Sequence, residues 1–261
     1  MATVPGMNKV TARIIALLLI VQLDDPASSI VPTRPLNPDP VSAQNLRAMD
    51  EWLCRCNSKL RGHETCPKWE IRTSILPTRV INVVGDLPRL YTPSSGTTGQ
   101  YATLSYCWGG YQPLSTTMAR LAKYHSALPE ALPATIQDAI TLTRALGIPF
   151  LWVDSLCIVK DSILDKANEI AKMGQIYKNT WVTFAASLTP SCMDGFLHIQ
   201  PAALDRLSHS VKIPIACPGG LIGNIMLSPV RFRGTSTRRN KLPIDERAWD
   251  ISGASSLTTD H

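Results

Sequence analysis

The sequence predicts an α/β fold, an open, mostly parallel sheet flanked by helices, with irregular N- and C-terminal extensions. Three observations predict it. Residues 101–108, 150–159 and 181–186 are apolar runs with strand texture. Between the later runs lie helix patterns that start with capping residues. The resulting order, strand–helix–strand–helix–strand, is that of a parallel sheet wound with crossover helices. The chain has 261 residues, 44% hydrophobic and 18% charged, which suffices for a sizeable core and excludes a disordered or coiled-coil composition.

Taken in order, Lys9 and Arg13 precede an apolar run at 14–21, and the small residues Ala27, Ser28 and Ser29 follow. This has the layout of a signal peptide, and the alternative is a buried N-terminal segment. The run is too short to span a bilayer. Residues 24–45, rich in Pro, Asp and Ser, read as a linker, 52–91 as a compact irregular stretch, and 94–99 (S-S-G-T-T-G) as a loop.

Tyr101 to Trp108 is the first predicted strand, stopped by Gly109 and Gly110. A helix is predicted over 116–126, with Met118, Leu121 and Ala122 on one face. The next begins at a Thr135/Asp138 capping box. It carries the stripe Ile136, Ala139, Ile140 and Thr143 and ends at Gly147. Residues 150–159 then form an almost unbroken apolar run, read as a central strand covered on both faces and interrupted by Asp154-Ser155. A second capping box, Ser162/Asp165, opens a helix to about Tyr177, with Ala167, Ile170, Ala171, Met173 and Tyr177 buried. Asn179 is expected to close it in the left-handed conformation. A third strand covers 181–186, and a short one 211–216. There are no internal repeats.

The net charge of +6 is mild. Its basic run, Arg231, Arg233, Arg238, Arg239 and Lys241, reads as a solvated loop, because no nucleic-acid-binding motif accompanies it. Seven scattered cysteines, an odd number, fit a reducing, cytoplasmic compartment better than a disulfide framework. Cys54, Cys56, His63 and Cys66 offer four zinc-type ligands, but the spacing C-x-C-x6-H-x2-C is not a common finger, so no metal is expected. Cys107 or Cys157 paired with His125 or His198 would make a nucleophile. Both thiols lie in apolar runs, where cysteines are usually inert.

Four blocks carry a family resemblance. They are Tyr101-Ala-Thr-Leu-Ser-Tyr-Cys-Trp-Gly109; Leu132-Pro-Ala-Thr-Ile-Gln-Asp-Ala-Ile140 with Thr143-Arg144 and Leu146-Gly147; Leu151-Trp-Val-Asp-Ser-Leu-Cys-Ile158; and Asp161, Asp165, Glu169, Met173, Ile176 and Tyr177. In this order and spacing they resemble the fungal heterokaryon incompatibility (HET) domain. Upstream, Trp52, Cys56, His63, Cys66 and Leu76-Pro-Thr-Arg79 also look like sequence found before that domain, and Arg247-Ala-Trp249 resembles a later block. The expected organisation is an N-terminal apolar segment and linker at 1–50, an irregular extension at 51–99, and the HET domain at 100–250, shortened at its C-terminal end.

The resemblance implies a signalling module of self/non-self recognition whose activation triggers programmed cell death. HET domains are similar in outline to TIR domains, many of which cleave NAD with a glutamate on the helix after a sheet strand. By that likeness Glu169 is the catalytic candidate, and NAD is a substrate rather than a tightly bound cofactor. Ligands of parallel sheets bind beyond the carboxyl ends of the strands. Ser105, Tyr106, Trp108, Gly109, Asp154 and Ser155 are therefore the candidate binding residues. The duller readings stand beside these: Glu169 as a surface residue, Asp154 as a local cap, and Trp108 as core. A non-catalytic interaction module that binds a protein partner or self-associates is the alternative function, and a degenerate inactive relative a further one. No P-loop or dinucleotide fingerprint is present.

Overall fold

The computed structural model describes residues 16–22, 24–34, 37, 39–57, 74–110, 112, 114–198 and 211–230. The chain divides into two compact units.

The smaller unit is a three-stranded antiparallel sheet, β1 (Ala16–Ile20), β9 (Val211–Ala216) and β10 (Ile222–Val230), in the order β1-β10-β9. The apolar run near the N-terminus is thus an edge strand, and the strand expected at 211–216 is present. Asp25 caps a short 3₁₀ turn at Pro26–Ser29, accepting from the Ala27 amide, and also accepts from the Asn224 amide at 2.9 Å. These two backbone amides hold its carboxyl below the ordinary aspartate range. Val21, Ala27, Cys217 and Ile225 form the unit's own core.

The larger unit is built on a five-stranded sheet in the order β4-β3-β7-β6-β8. Its strands are β3 (Val80–Asn82), β4 (Arg89–Tyr91), β6 (Tyr101–Tyr106), β7 (Phe150–Trp152) and β8 (Val182–Ala186), and a small pair, β2 (Ser74–Ile75) with β5 (Thr98–Gly99), stands apart. β6 runs parallel to β7 and to β8, as the three apolar runs predict. The sheet is nonetheless mixed. The hairpin β3–β4 adds two antiparallel strands, β3 against β7, so only half of the pairings are parallel. That hairpin lies in the stretch expected to be irregular, as does the C-terminal part of helix α1 (Ala43–Asn57).

All six residues of β6 are buried, so both faces of the sheet are covered. Helix α2 (Met118–Ser126) lies beside β4, and α3 (Ala134–Ala145) contacts β6 and β7. On α2 the buried residue is Tyr124, while Met118 and Ala122 are exposed. The stripe on α3 is buried as expected. It ends in a Schellman turn, Gly147 donating to the Arg144 carbonyl and Ile148 to the Thr143 carbonyl, with Gly147 at φ 68°. The capping box is not formed. Pro133 stands at the N-cap, Thr135 is buried inside the helix, and Asp138 instead accepts from the amides of Phe196 and Leu197 at 2.6 and 2.9 Å.

The central apolar run is buried from Leu151 through Val159, but only its first three residues are strand. Asp154–Cys157 turn into a one-turn helix, α4. A short apolar run has the same composition whether it is a buried strand or a buried turn of helix, so periodicity does not separate the two. Helix α5 (Ile163–Lys178) starts as predicted, with the Ser162 hydroxyl accepting from the Asp165 amide. Asn179 closes it at φ −97°, not in the left-handed region. Its packed face is Glu169, Met173, Ile176 and Tyr177, while Ala167 and Ala171 are exposed. Tyr101 donates to the Ile176 carbonyl at 2.8 Å, and Trp152 meets Tyr177 edge to face, which seats α5 on the sheet. No helix of the described residues is long and apolar enough to cross a membrane.

Candidate functional site

The carboxyl ends of β6, β7 and β8 define one edge of the sheet. Because β3 is antiparallel to β7, with Ile81 opposite Leu151, the residues just before β3 enter at the edge where Val153 and Asp154 leave. Thr78 and Arg79 therefore arrive at the rim at which the sequence places its candidates.

Glu169, two turns into α5, is 1% exposed and points into this rim. The Thr78 hydroxyl and its Oε1 lie 2.7 Å apart, and Lys172 Nζ is 3.2 Å from the hydroxyl and 3.3 Å from Oε1. An ammonium only donates. Thr78 Oγ1 must then accept from Lys172 and give its single hydrogen to Glu169. Glu169 Oε2 is buried with no hydrogen-bond partner. One turn earlier, Asp165 takes both oxygens to Arg79 Nη2 at 2.6 Å and accepts from the Val159 amide at 2.8 Å. Arg79 Nε donates to the Cys157 carbonyl at 2.8 Å. Adjacent residues before β3 thus hold carboxylates one helical turn apart on α5.

Asp154, 7% exposed, opens α4 at the end of β7. Its charge and that of Glu169 both bear on the buried Cys157 thiol, as does the Arg79 guanidinium. Burial, the largest influence, pushes that thiol up to about 12. It is protonated at neutral pH and no nucleophile. His125 sits elsewhere, with Nδ1 3.0 Å from the Leu90 carbonyl.

On the β6 side, the Tyr106 hydroxyl donates to Ser155 Oγ at 2.9 Å and accepts from Gln112 at 2.8 Å. Thr116 braces α4. Its amide donates to the Ser155 carbonyl at 3.1 Å and its hydroxyl to the Leu156 carbonyl at 2.6 Å. Ser105, Tyr106 and Ser155 are buried, Trp108 is half-buried and Gly109 is exposed. Lys160 Nζ lies 5.1 Å from the Trp108 ring centre. Burial lowers the proton affinity of this lysine, against the opposing pull of Asp154. At Gly109, φ is 73° and a Cβ would stand 2.5 Å from Ser191 Cβ, so what approaches this backbone closely is the chain at Ser191.

The family model for the heterokaryon incompatibility protein (HET) matches residues 101–250. The chain belongs to the HET family. No curated protein and no solved structure matches it. In the HET domain as folded here, Glu169, Asp154, Ser155 and Tyr106 come to one rim, and they do so covered rather than lining an open cleft. A depression of about 280 Å³ opens at the other end of β7, lined by Val83, Val84, Gly85, Arg144, Gly147, Ile148 and Pro149, none of them a candidate. Among the described residues no group of His, Cys, Asp and Glu is arranged to hold a metal ion. Cys54 and Cys56 lie on α1 of the described chain, whereas His63, Cys66 and the basic run at 231–241 lie outside the described residues.

Sequence reasoning missed Thr78, Arg79, Thr116 and Lys160 as parts of this rim. For the first two a signal was present. Leu76-Pro-Thr-Arg79 stands out upstream, and Asp165 and Glu169 are spaced i, i+4 on a helix, so one neighbouring segment can reach both.

Proposed function

We propose that this HET-family chain acts in heterokaryon incompatibility as a cytoplasmic module whose activation triggers cell death, and that Glu169 is its catalytic carboxylate in the cleavage of NAD. The observation that carries the catalytic reading is the state of that side chain. It is buried at the carboxyl edge of parallel strands, with Oε1 bonded and Oε2 unpartnered. A buried carboxylate oxygen without a partner is costly as pure structure and useful where positive charge develops. In the reaction the ribose–nicotinamide bond breaks and nicotinamide leaves neutral with the bonding pair. Water then adds to the ribose carbon and releases a proton. Glu169 would stabilise the cation-like ribose between these events. Asp154, Ser155, Ser105, Tyr106, Trp108 and Gly109 would bind the dinucleotide. A TIR-like character of the fold rests on the parallel half of the sheet.

A second reading is favoured by a specific observation. Thr78, Lys172 and Arg79 hold the α5 carboxylates in hydrogen bonds and ion pairs, an arrangement that would serve equally in a non-catalytic module that signals by binding a protein partner or another copy of itself. Replacing Glu169 with Gln separates the two. The amide keeps an acceptor for Thr78 and removes the charge. In the catalytic reading, purified wild type releases nicotinamide from NAD, and the variant loses that release by about 100-fold or more, together with toxicity in a fungal host. Toxicity that persists in the variant, with NAD intact in dying cells, defeats the catalytic reading in favour of the second.

A further inference from the structure

We infer that Thr78, which lies ahead of the residues matched by the family model, is a positioning residue for Glu169, so that the working site is assembled from two separate segments of the chain. The inference rests on the reading of Glu169 as the functional carboxylate. Three observations carry it.

The first is direction. Lys172 lies within hydrogen-bonding distance of both Thr78 Oγ1 and Glu169 Oε1, which obliges the Thr78 hydroxyl to donate to Oε1 at 2.7 Å. That bond fixes the carboxylate's rotation about its last torsion, which is otherwise soft. The second is the outcome. With Oε1 engaged, Oε2 is the atom left unpartnered in the interior. The third is anchorage. Pro77 and Arg79, on either side of Thr78, are both buried, and Arg79 is tied to Asp165 on α5 and to the Cys157 carbonyl on α4. Thr78 is thus held against α5 by its neighbours and does not depend on its own hydroxyl to stay there. Removing the hydroxyl should change the carboxylate and little else.

The test uses the full chain with Thr78→Val, which keeps the shape and removes the hydroxyl, and Thr78→Ser, which keeps the hydroxyl. Three quantities are read: nicotinamide release from NAD, growth of a fungal host expressing the protein, and the Glu169 carboxyl ¹³C resonance in glutamate-labelled protein, assigned by its loss in Glu169→Gln. Thr78→Val is expected to displace the resonance and to lower kcat about 10-fold or more with KM little changed and the melting temperature kept. It should relieve toxicity in proportion. Thr78→Ser should restore all three. Wild-type kcat and toxicity in Thr78→Val, or a Thr78→Ser variant as impaired as Thr78→Val, overturns the inference. If the wild type kills without consuming NAD, the NAD reading alone fails. Toxicity lost in Thr78→Val and regained in Thr78→Ser then still supports positioning by Thr78. A wild type with neither property overturns both.

Discussion

Arg79 and Asp165, 86 residues apart in the chain, close a largely buried ion pair at 2.6 Å, with their side chains 9% and 20% exposed. The same guanidinium bonds the Cys157 carbonyl, so one side chain joins the entry to β3, the α4 turn and the first turn of α5.

Breaking one side of this pair should cost more than removing both. Arg79→Met strands Asp165 and leaves the Cys157 carbonyl without its donor, and is expected to lower stability by about 3–5 kcal/mol. Combining it with Asp165→Leu removes the stranded charge and should recover part of that loss, a coupling of about 1–3 kcal/mol. Urea unfolding of the two single variants and the double variant measures it. Additive losses would mean that the two groups do not act as a pair.

Two glycines with similar dihedrals should respond differently to alanine. Gly147, at φ 68°, has nothing within 4 Å of an added Cβ, so Gly147→Ala carries only the left-handed penalty, about 1–2 kcal/mol. Gly109, at φ 73°, would also place its Cβ 2.6 Å from the Ser191 Cα, a backbone atom that cannot step aside cheaply. Gly109→Ala should therefore be worse than Gly147→Ala by about 1–3 kcal/mol, read from thermal or urea midpoints. Equal losses would argue that the chain at Ser191 yields freely.

Cys157 should resist chemistry in the folded protein. Burial raises its thiol from 9.0 to about 12, so the native state holds the proton over a range in which the unfolded chain releases it. The sign follows. This contribution to stability is fully present below about pH 9 and is lost as pH climbs from there towards 12. Native protein treated with iodoacetamide at pH 8 should be modified at the half-buried Cys54 and Cys56 well before Cys157, by peptide mass mapping. Replacing Cys157 with Ala should flatten the alkaline decline in urea midpoint. Labelling of Cys157 at the pace of the α1 thiols would contradict the burial argument.

What could be read ahead of the structure followed from local pattern. The strands at 101–106 and 182–186, their parallel pairing, the α3 stripe and the Ser162 cap of α5 are all written in neighbouring residues. The failures share a cause. Residues 80–82 and 89–91 are too short to announce a hairpin, and only pairing with Phe150 and Leu151 makes them part of the sheet. Leu151 to Val159 is uniformly buried, so its composition hid the change from strand to helix at Asp154. Glu169 looked marginal because α5 alone gives it an edge position. Its hydrogen-bond partner Thr78 lies 91 residues earlier, beyond the reach of any local pattern. The burial of Glu169 and Asp154 was not legible in the sequence.

The hairpin beside β7 also bears on how this protein can be divided. Residues 74–99 precede the family-matched region, yet β3 supplies the partner of Phe150 and Leu151 on one side of β7. A fragment begun at Tyr101 would leave that apolar strand with a bare row of amides and carbonyls, a template for sticking to other copies. Boundaries drawn from the family match alone would therefore favour insoluble protein, and a fragment begun upstream of Ser74 would keep the seam sealed.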